Sequence, residues 1–268
     1  MVDPFPPSSA PPPASAPPPD PVPELAAPEL AVVVPVRNEE DNVIPLIEEI
    51  HAALDGVVPF EVIYVDDGST DATPQRLAEA GARFPRLRTL RHRVSCGQSQ
   101  AVATGVKAAR APWIATLDGD GQNDPADIPL LLEASRAEGI LAPMTLIAGH
   151  RRKRRDTWIK RVSSRFANRV RAGLLGDDTP DTGCGLKLFN RETFLDFPRF
   201  DHMHRYLPAL VIRAGGRVVS VPVNHRPRER GRSNYGTLDR LWVGLFDLIG
   251  VMWLQRRGKN PVVEPDRR

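Results

Sequence analysis

From Leu30 onward, short apolar runs alternate with amphipathic stretches of helical length, and this rhythm constrains the fold more than any other feature of the chain. Residues 30–36, 61–65, 87–91 and 113–117 read as strands; residues 43–54, 74–82, 98–109 and 126–138 read as helices. Strands separated by single helices need crossover connections, which predicts an α/β fold with a mostly parallel sheet covered by helices on both faces. Ligands of such sheets bind beyond the carboxyl ends of the strands. The polar residues that follow each strand therefore carry the functional information. The second half is less regular: residues 145–148, 185–189 and 217–223 read as strands, 158–174 as a basic helix, and 205–214 and 238–255 as helices, with no internal repeat.

Composition closes off other classes. Two cysteines cannot build a disulfide scaffold or a four-ligand zinc site, and a chain 41% apolar with 36 Lys+Arg against 33 Asp+Glu is too apolar and too balanced for wholesale disorder. No uncharged apolar run reaches the roughly 18 residues of a membrane-crossing helix. The N-terminus has no basic segment followed by an apolar core, so no secretory signal is expected and a reducing cytoplasmic setting fits best. Residues 1–28 hold 12 of the 28 prolines and are expected to form an extended tail outside the fold. The net charge of +3 conceals a division: 10 basic and 21 acidic residues up to Ala148, net −11, against 26 and 12 from Gly149 onward, net +14. An acidic half suited to a divalent cation and a basic half suited to anions recur in proteins that handle phosphorylated compounds.

Three strand ends carry chemistry. The first strand runs into Pro35-Val36-Arg37-Asn38-Glu39-Glu40-Asp41-Asn42, where Asn38 or Asp41 could cap the next helix. The second ends in Asp66-Asp67-Gly68-Ser69-Thr70-Asp71, and adjacent carboxylates repel unless a cation or a donor such as a nucleobase N–H lies between them. The fourth ends in Asp118-Gly119-Asp120-Gly121-Gln122-Asn123-Asp124-Pro125. Asp118 and Asp120 point the same way in an extended segment, and two carboxylates with the Gln122 amide oxygen make a hard-oxygen set suited to Mg²⁺ or Mn²⁺ shared with a diphosphate.

These segments, together with Gly97-Gln98, resemble the family 2 glycosyltransferases of the GT-A (nucleotide-diphospho-sugar transferase) fold. Within them the resemblance is closest to the dolichol-phosphate mannose synthase-like group, which moves a sugar from a nucleotide donor to a polyprenyl phosphate. It covers about residues 30–235. It implies that Pro35, Arg37 and Glu39 lie against the nucleoside, that Asp67, with Val65 and Asp66 beside it, meets the base, and that Asp118, Asp120 and Gln122 hold the metal next to Gly119. Arg37 stands where the group often has Tyr or Phe, and Gly121 where it has Leu. Arg151 and, on the following helix, Arg161 or Arg165 would hold the acceptor phosphate. The segment Asp181–Phe189 would lie beside the transferred sugar, with Cys184 a small packing residue. Arg228, Arg232 and Ser233 would belong to a mobile loop closing on the donor diphosphate.

The expected organisation is a tail at 1–28, a glycosyltransferase domain at 29–235, a membrane-associating helix at 236–257 and a basic tail at 258–268. Residues 241–254 carry one charge, bear apolar residues on every face and have basic flanks, which favours interfacial attachment; Asp247 argues against deep burial in lipid unless it is paired. The implied reaction is inverting and metal-dependent, from GDP-mannose or a UDP-sugar to a polyprenyl phosphate, with Asp120, Arg151 and Arg232 central to it. Its partners would be the sugar nucleotide, the lipid phosphate and an anionic membrane surface at the cytoplasmic face; a homo-oligomer is compatible with this set. A polysaccharide acceptor is the alternative. A nucleotidyltransferase would bring a Gly-rich phosphate loop after the first strand, which is absent. The basic half could instead hold nucleic acid, but only Trp158 and Phe166 interrupt the charge near 149–171, so none is expected.

Overall fold

The computed structural model describes residues 27–151, 171–177, 179–227 and 239–259, with residues 239–243 described by their backbone alone. Its strands are β1 (Leu30–Val36), β2 (Phe60–Asp66), β3 (Leu87–Arg91), β4 (Trp113–Thr116), β5 (Thr145–Arg151), β6 (Lys187–Asn190) and β7 (Arg217–Val223). They form one sheet in the order β3-β2-β1-β4-β6-β5-β7. β1 pairs in parallel with β2 and β4, β2 with β3, and β5 with β7; β6 alone runs antiparallel, between β4 and β5.

Every residue of β1 and β2 is buried, as covering on both faces requires. The helices that cover them are α1 (Val43–Leu54), α2 (Thr73–Arg83), α3 (Gln98–Ala108), α4 (Ile128–Ala137), α5 (Arg191–Leu195), α6 (Leu207–Arg213) and α7 (Asp239–Arg257). Val32 and Val34 of β1 face Leu46, Ile47 and Ile50 of α1 and Leu131 of α4. Ala31 and Val33 point the other way, into a second core with Ala101 and Val106 of α3 and Leu210 of α6. Pro35, which cannot donate to a ladder, lies beyond the last β1–β4 pair, Val33 with Thr116.

Several boundaries differ from the sequence-based expectation for local reasons. The stretch 126–138 divides into a 3-10 turn, Pro125–Asp127, and α4, because the Asp124 side chain accepts from the Ala126 N–H at 3.1 Å and Pro129 sits in the first turn of α4. The stretch 205–214 likewise becomes a 3-10 turn, Met203–Arg205, followed by α6 with Pro208 in its first turn. β5 continues to Arg151 rather than ending at 148, because β7 pairs with it as far as Val223. α5 is unanticipated; the Asn190 side chain caps it, accepting from Glu192 and Thr193 N–H. Of the expected basic helix, residues 171–175 are helical and residues 158–170 lie outside the described residues.

α7 packs through Val251, Leu248 and Met252 against Tyr206, Ala209 and Leu175. Its Asp247 is paired, with Oδ2 3.1 Å from His202 Nδ1. Leu245, Phe246, Ile249 and Trp253 are exposed on the helix. No helix among the described residues is long and apolar enough to cross a membrane.

Candidate active site

The carboxyl ends of β1, β2 and β4 meet at one edge of the sheet. Because β6 is reversed, the segment before Lys187 joins them there, with Lys187 paired to Thr116. A cavity of about 380 Å³ opens at this edge.

The loop after β1 is laced to the loop after β2. Asn38 N–H donates to Ser69 Oγ at 2.9 Å, Thr70 N–H to Asn38 Oδ1 at 2.8 Å, Glu39 N–H to Thr73 Oγ1 at 2.9 Å and Ala72 N–H to Glu40 Oε2 at 2.8 Å. Asn38 takes a left-handed φ of 56°, which asparagine tolerates. It does not cap α1; Asn42 flanks that helix, without a side-chain cap bond. The lacing fixes Arg37 and Glu39, which line the cavity with Pro35.

The second strand end needs correction. Val65 is fully buried in the core with Ile63, Ala101 and Val106, so it does not reach the cavity. Asp66 accepts from Ser69 N–H at 2.8 Å and pairs with Arg91 Nε at 3.1 Å, so a cation of the chain itself answers the repulsion between the two aspartates. Asp67 does line the cavity, yet the segment 92–97 engages both its oxygens. Oδ1 meets Cys96 N–H at 2.8 Å and His92 Nδ1 at 2.7 Å, and Oδ2 meets Ser95 Oγ at 2.7 Å and Gly97 N–H at 2.9 Å. Burial pushes the Asp67 carboxyl up, but these four bonds, led by Cys96 N–H, together hold it below its ordinary range. Its first duty is to fix the turn into α3. Potential ligand atoms of Asp67, His92 and Cys96 lie within 4.8 Å of one another, and His92 Nε2 also meets Thr104 Oγ1 at 2.9 Å.

Asp118, Gly119, Asp120 and Gln122 line the cavity after β4. Asp118 Oδ1 accepts from Gln98 Nε2 at 2.8 Å, and Gln122 N–H donates to Asp120 Oδ1 at 3.2 Å. Gly185 passes so close that a Cβ there would lie 2.6 Å from Asp118 Oδ1. Burial, then the neighbouring Asp120, pushes the Asp118 carboxyl up, while Lys187 and Arg151 pull it back. Two carboxylates at one cavity wall, with an amide beside them, are a donor set that fits Mg²⁺ or Mn²⁺.

Of the cavity residues, the sequence reading gave Gln98 only within the Gly97-Gln98 motif and Lys187 only within Asp181–Phe189, and it missed His204 and Arg205. Lys187 is only 4% exposed; its ammonium donates to the Cys184 carbonyl, and burial pulls its pKa down. A lysine inside the otherwise apolar run Leu186–Phe189 was the available signal. His204 Nδ1 lies 2.7 Å from Ser99 Oγ. Burial, then the cationic Lys187 and Arg205 and the nearby His202, drives its pKa well below the ordinary histidine value, so the imidazole is neutral.

The Arg151 side chain is engaged within the chain itself. It grips Asp181 with Nε–Oδ2 at 2.6 Å and Nη2–Oδ1 at 2.7 Å, and lies beneath Gly183. Cys184 is a buried thiol whose pKa burial pushes up, in keeping with packing. Arg161, Arg165, Arg228, Arg232 and Ser233 lie outside the described residues.

The chain is 36% identical over 248 residues to the dodecaprenyl-phosphate galacturonate synthase of Rhizobium johnstonii, covering 90% of this chain and 71% of that protein. It is 31% identical over 222 residues to the undecaprenyl-phosphate 4-deoxy-4-formamido-L-arabinose transferase of Edwardsiella ictaluri, covering 82% and 66%. The chain thus spans between about two thirds and seven tenths of these relatives. Their names carry galacturonate and a formamido-arabinose, and the expectation of a mannosyl donor finds no support in them. Among solved structures, glucosyl-3-phosphoglycerate synthase of Mycobacterium tuberculosis, in complex with Mn²⁺, UDP-glucose and phosphoglyceric acid, matches with a TM-score of 0.60 at 21% identity, covering 86% of this chain and 80% of that one. That likeness is one of fold, and the fold is GT-A. With the family model for glycosyl transferase family 2 matching residues 31–196, across β1 to β6 and the cavity they build, the chain belongs to glycosyl transferase family 2.

Proposed function

We propose that this glycosyltransferase moves a sugar from a UDP-linked donor to a polyprenyl phosphate at a membrane surface, with inversion at the anomeric carbon. The carrying observation is one cavity lined both by Asp118 and Asp120 and by Lys187 and Arg205, carboxylates for a cation in the same wall as cations for oxyanions. The polyprenyl-phosphate relatives support the acceptor, and the UDP-glucose complex of a protein of the same fold supports the nucleotide.

Asp118, Asp120 and Gln122 would hold Mg²⁺ or Mn²⁺, which supplies positive charge where the leaving diphosphate becomes more negative. Pro35, Arg37 and Glu39 border the nucleoside, and Asp67 keeps the 92–97 turn in place beside it. Lys187 is the fixed counter-charge to Asp118. Arg228, Arg232 and Ser233 are assigned to closing over the donor diphosphate, and Arg161 and Arg165 to the acceptor. Arg151, held by Asp181, positions the 181–185 wall instead. A phosphate acceptor is ionised at neutral pH, so attack requires no general base, and one in-line displacement inverts the centre.

The exposed face of α7, with Phe246, Ile249 and Trp253 and the basic Arg256, Arg257 and Lys259 after it, is assigned to an anionic membrane surface. The test is a screen of nucleotide sugars with a short polyprenyl phosphate and Mn²⁺ or Mg²⁺, read by mass spectrometry of lipid products. Metal-dependent glycolipid formation is expected. Turnover only with non-lipid acceptors would overturn the acceptor assignment.

A further inference from the structure

We propose that His204 and Arg205 form an anion subsite in the cavity wall, reading an oxyanion of the substrates other than the donor diphosphate. That oxyanion is either the phosphate monoester of the acceptor or a carboxylate on the transferred sugar. The inference rests on the reaction proposed above and adds residues that the family motifs did not supply.

The turn carrying the two residues is firmly seated. Met203 and Tyr206 on either side of them are buried, Tyr206 Oη donates to the Gly244 carbonyl at 3.1 Å, and His202 holds a left-handed φ of 61°. Backbone so fixed, and strained at a non-glycine residue, holds both side chains at the cavity in advance of any ligand.

Hydrogen bonding sets the histidine's role. Ser99 Oγ accepts the His204 backbone N–H at 3.3 Å and lies 2.7 Å from His204 Nδ1, and we assign its proton to that nitrogen. That tautomer carries its ring hydrogen on Nε2, which has no hydrogen-bond partner among the described residues. The side chain lines the cavity, so it offers a neutral donor there. The depressed pKa agrees with an uncharged ring.

Charge pairing sets the arginine apart from the paired ones. Arg151, Arg171 and Arg226 are each tied to a carboxylate, Asp181, Asp177 and Asp124 respectively. Arg205 lines the cavity without a carboxylate within 4 Å among the described residues. Lys187 answers Asp118. Arg205 is therefore, with Arg37 of the loop after β1, a cation of the cavity wall without a carboxylate partner among the described residues, and a guanidinium next to a neutral N–H donor matches a phosphate or carboxylate better than a hydroxyl.

The experiment uses the full chain and its Arg205→Gln variant, after matching thermal melts. With Mn²⁺ present, calorimetry gives Kd for UDP, UDP-glucose and UDP-galacturonate, and steady-state assays give KM and kcat for farnesyl phosphate as acceptor. The variant should hold the Kd of UDP within about twofold. It should either raise the KM for farnesyl phosphate about tenfold or more, which assigns the subsite to the acceptor, or weaken UDP-galacturonate about tenfold with UDP-glucose unchanged, which assigns it to the sugar. His204→Leu should move the same quantity, and His204→Gln, which keeps an N–H donor, should restore much of it. Unchanged values in Arg205→Gln, or an equal weakening of UDP itself, would overturn the proposal. Failure of the unmodified chain to bind UDP would sink the sugar-nucleotide reading instead, and calorimetry with farnesyl phosphate alone would still judge the subsite.

Discussion

Asp181 holds Arg151 through both carboxylate oxygens, at 2.6 and 2.7 Å, with the two side chains only 5% and 14% exposed. A buried pair of this kind is costly to break from one side, because the partner's charge is left without compensation. Asp181→Ala should therefore lower stability by about 3–5 kcal/mol, read from the urea midpoint. A variant as stable as the parent but inactive would return Arg151 to direct substrate contact.

Asp120→Ala should reduce transfer at least about a hundredfold while leaving the far-UV spectrum and thermal midpoint unchanged, because the residue lines the cavity rather than the core. Near-normal turnover would remove Asp120 from the metal site.

Gly185→Ala adds one methyl group against the Asp118 carboxylate. Overpacking of this size costs about 1–3 kcal/mol, and displacing the carboxylate should cut kcat/KM about a hundredfold. Weakened Mn²⁺ binding, measured by calorimetry, would accompany the loss. An active, metal-binding Gly185→Ala protein would show that the wall yields.

Asp67 makes stability depend on pH. Its folded pKa lies below the unfolded value near 3.8, so its contribution is present above that pH and is lost as pH falls through the folded value. Asp67→Asn should thus be less stable than the parent at pH 7, and the difference should shrink below about pH 4. A constant difference from pH 3 to 7 would mean that the four bonds to Asp67 do not distinguish its charged form.

Phe246→Ser with Trp253→Ser should reduce flotation with vesicles rich in phosphatidylglycerol at least about tenfold, since each aromatic side chain contributes roughly 1.5–3 kcal/mol when buried in an apolar phase. Both are exposed, at 70% and 59%, so the fold should tolerate the change. Unaltered flotation would move the lipid contact elsewhere.

Local pattern carried the parallel half of the sheet. The strands Leu30–Val36 and Leu87–Arg91 match their observed limits, because apolar runs bounded by turn residues reflect burial directly. The direction of β6 was not legible, since its pairing with β4 is a tertiary fact. Asp118, Asp120, Arg37 and Glu39 could be found because they directly follow strands. Val65 and Asp66 were drawn toward the ligand by adjacency to Asp67, but Val65 still lies within β2 and packs in the core, and Asp66 is taken up by Ser69 and Arg91. His204 and Arg205 were hidden in a short 3-10 turn that merged with the apolar pattern of α6.

The turn from His202 to Tyr206 is fastened to α7 twice, through His202–Asp247 and Tyr206–Gly244. Mechanically this makes the helix a lever whose short arm ends in the cavity. The position of α7 and the backbone that presents His204 and Arg205 are therefore fixed together, so loss of either contact should be felt at the cavity wall.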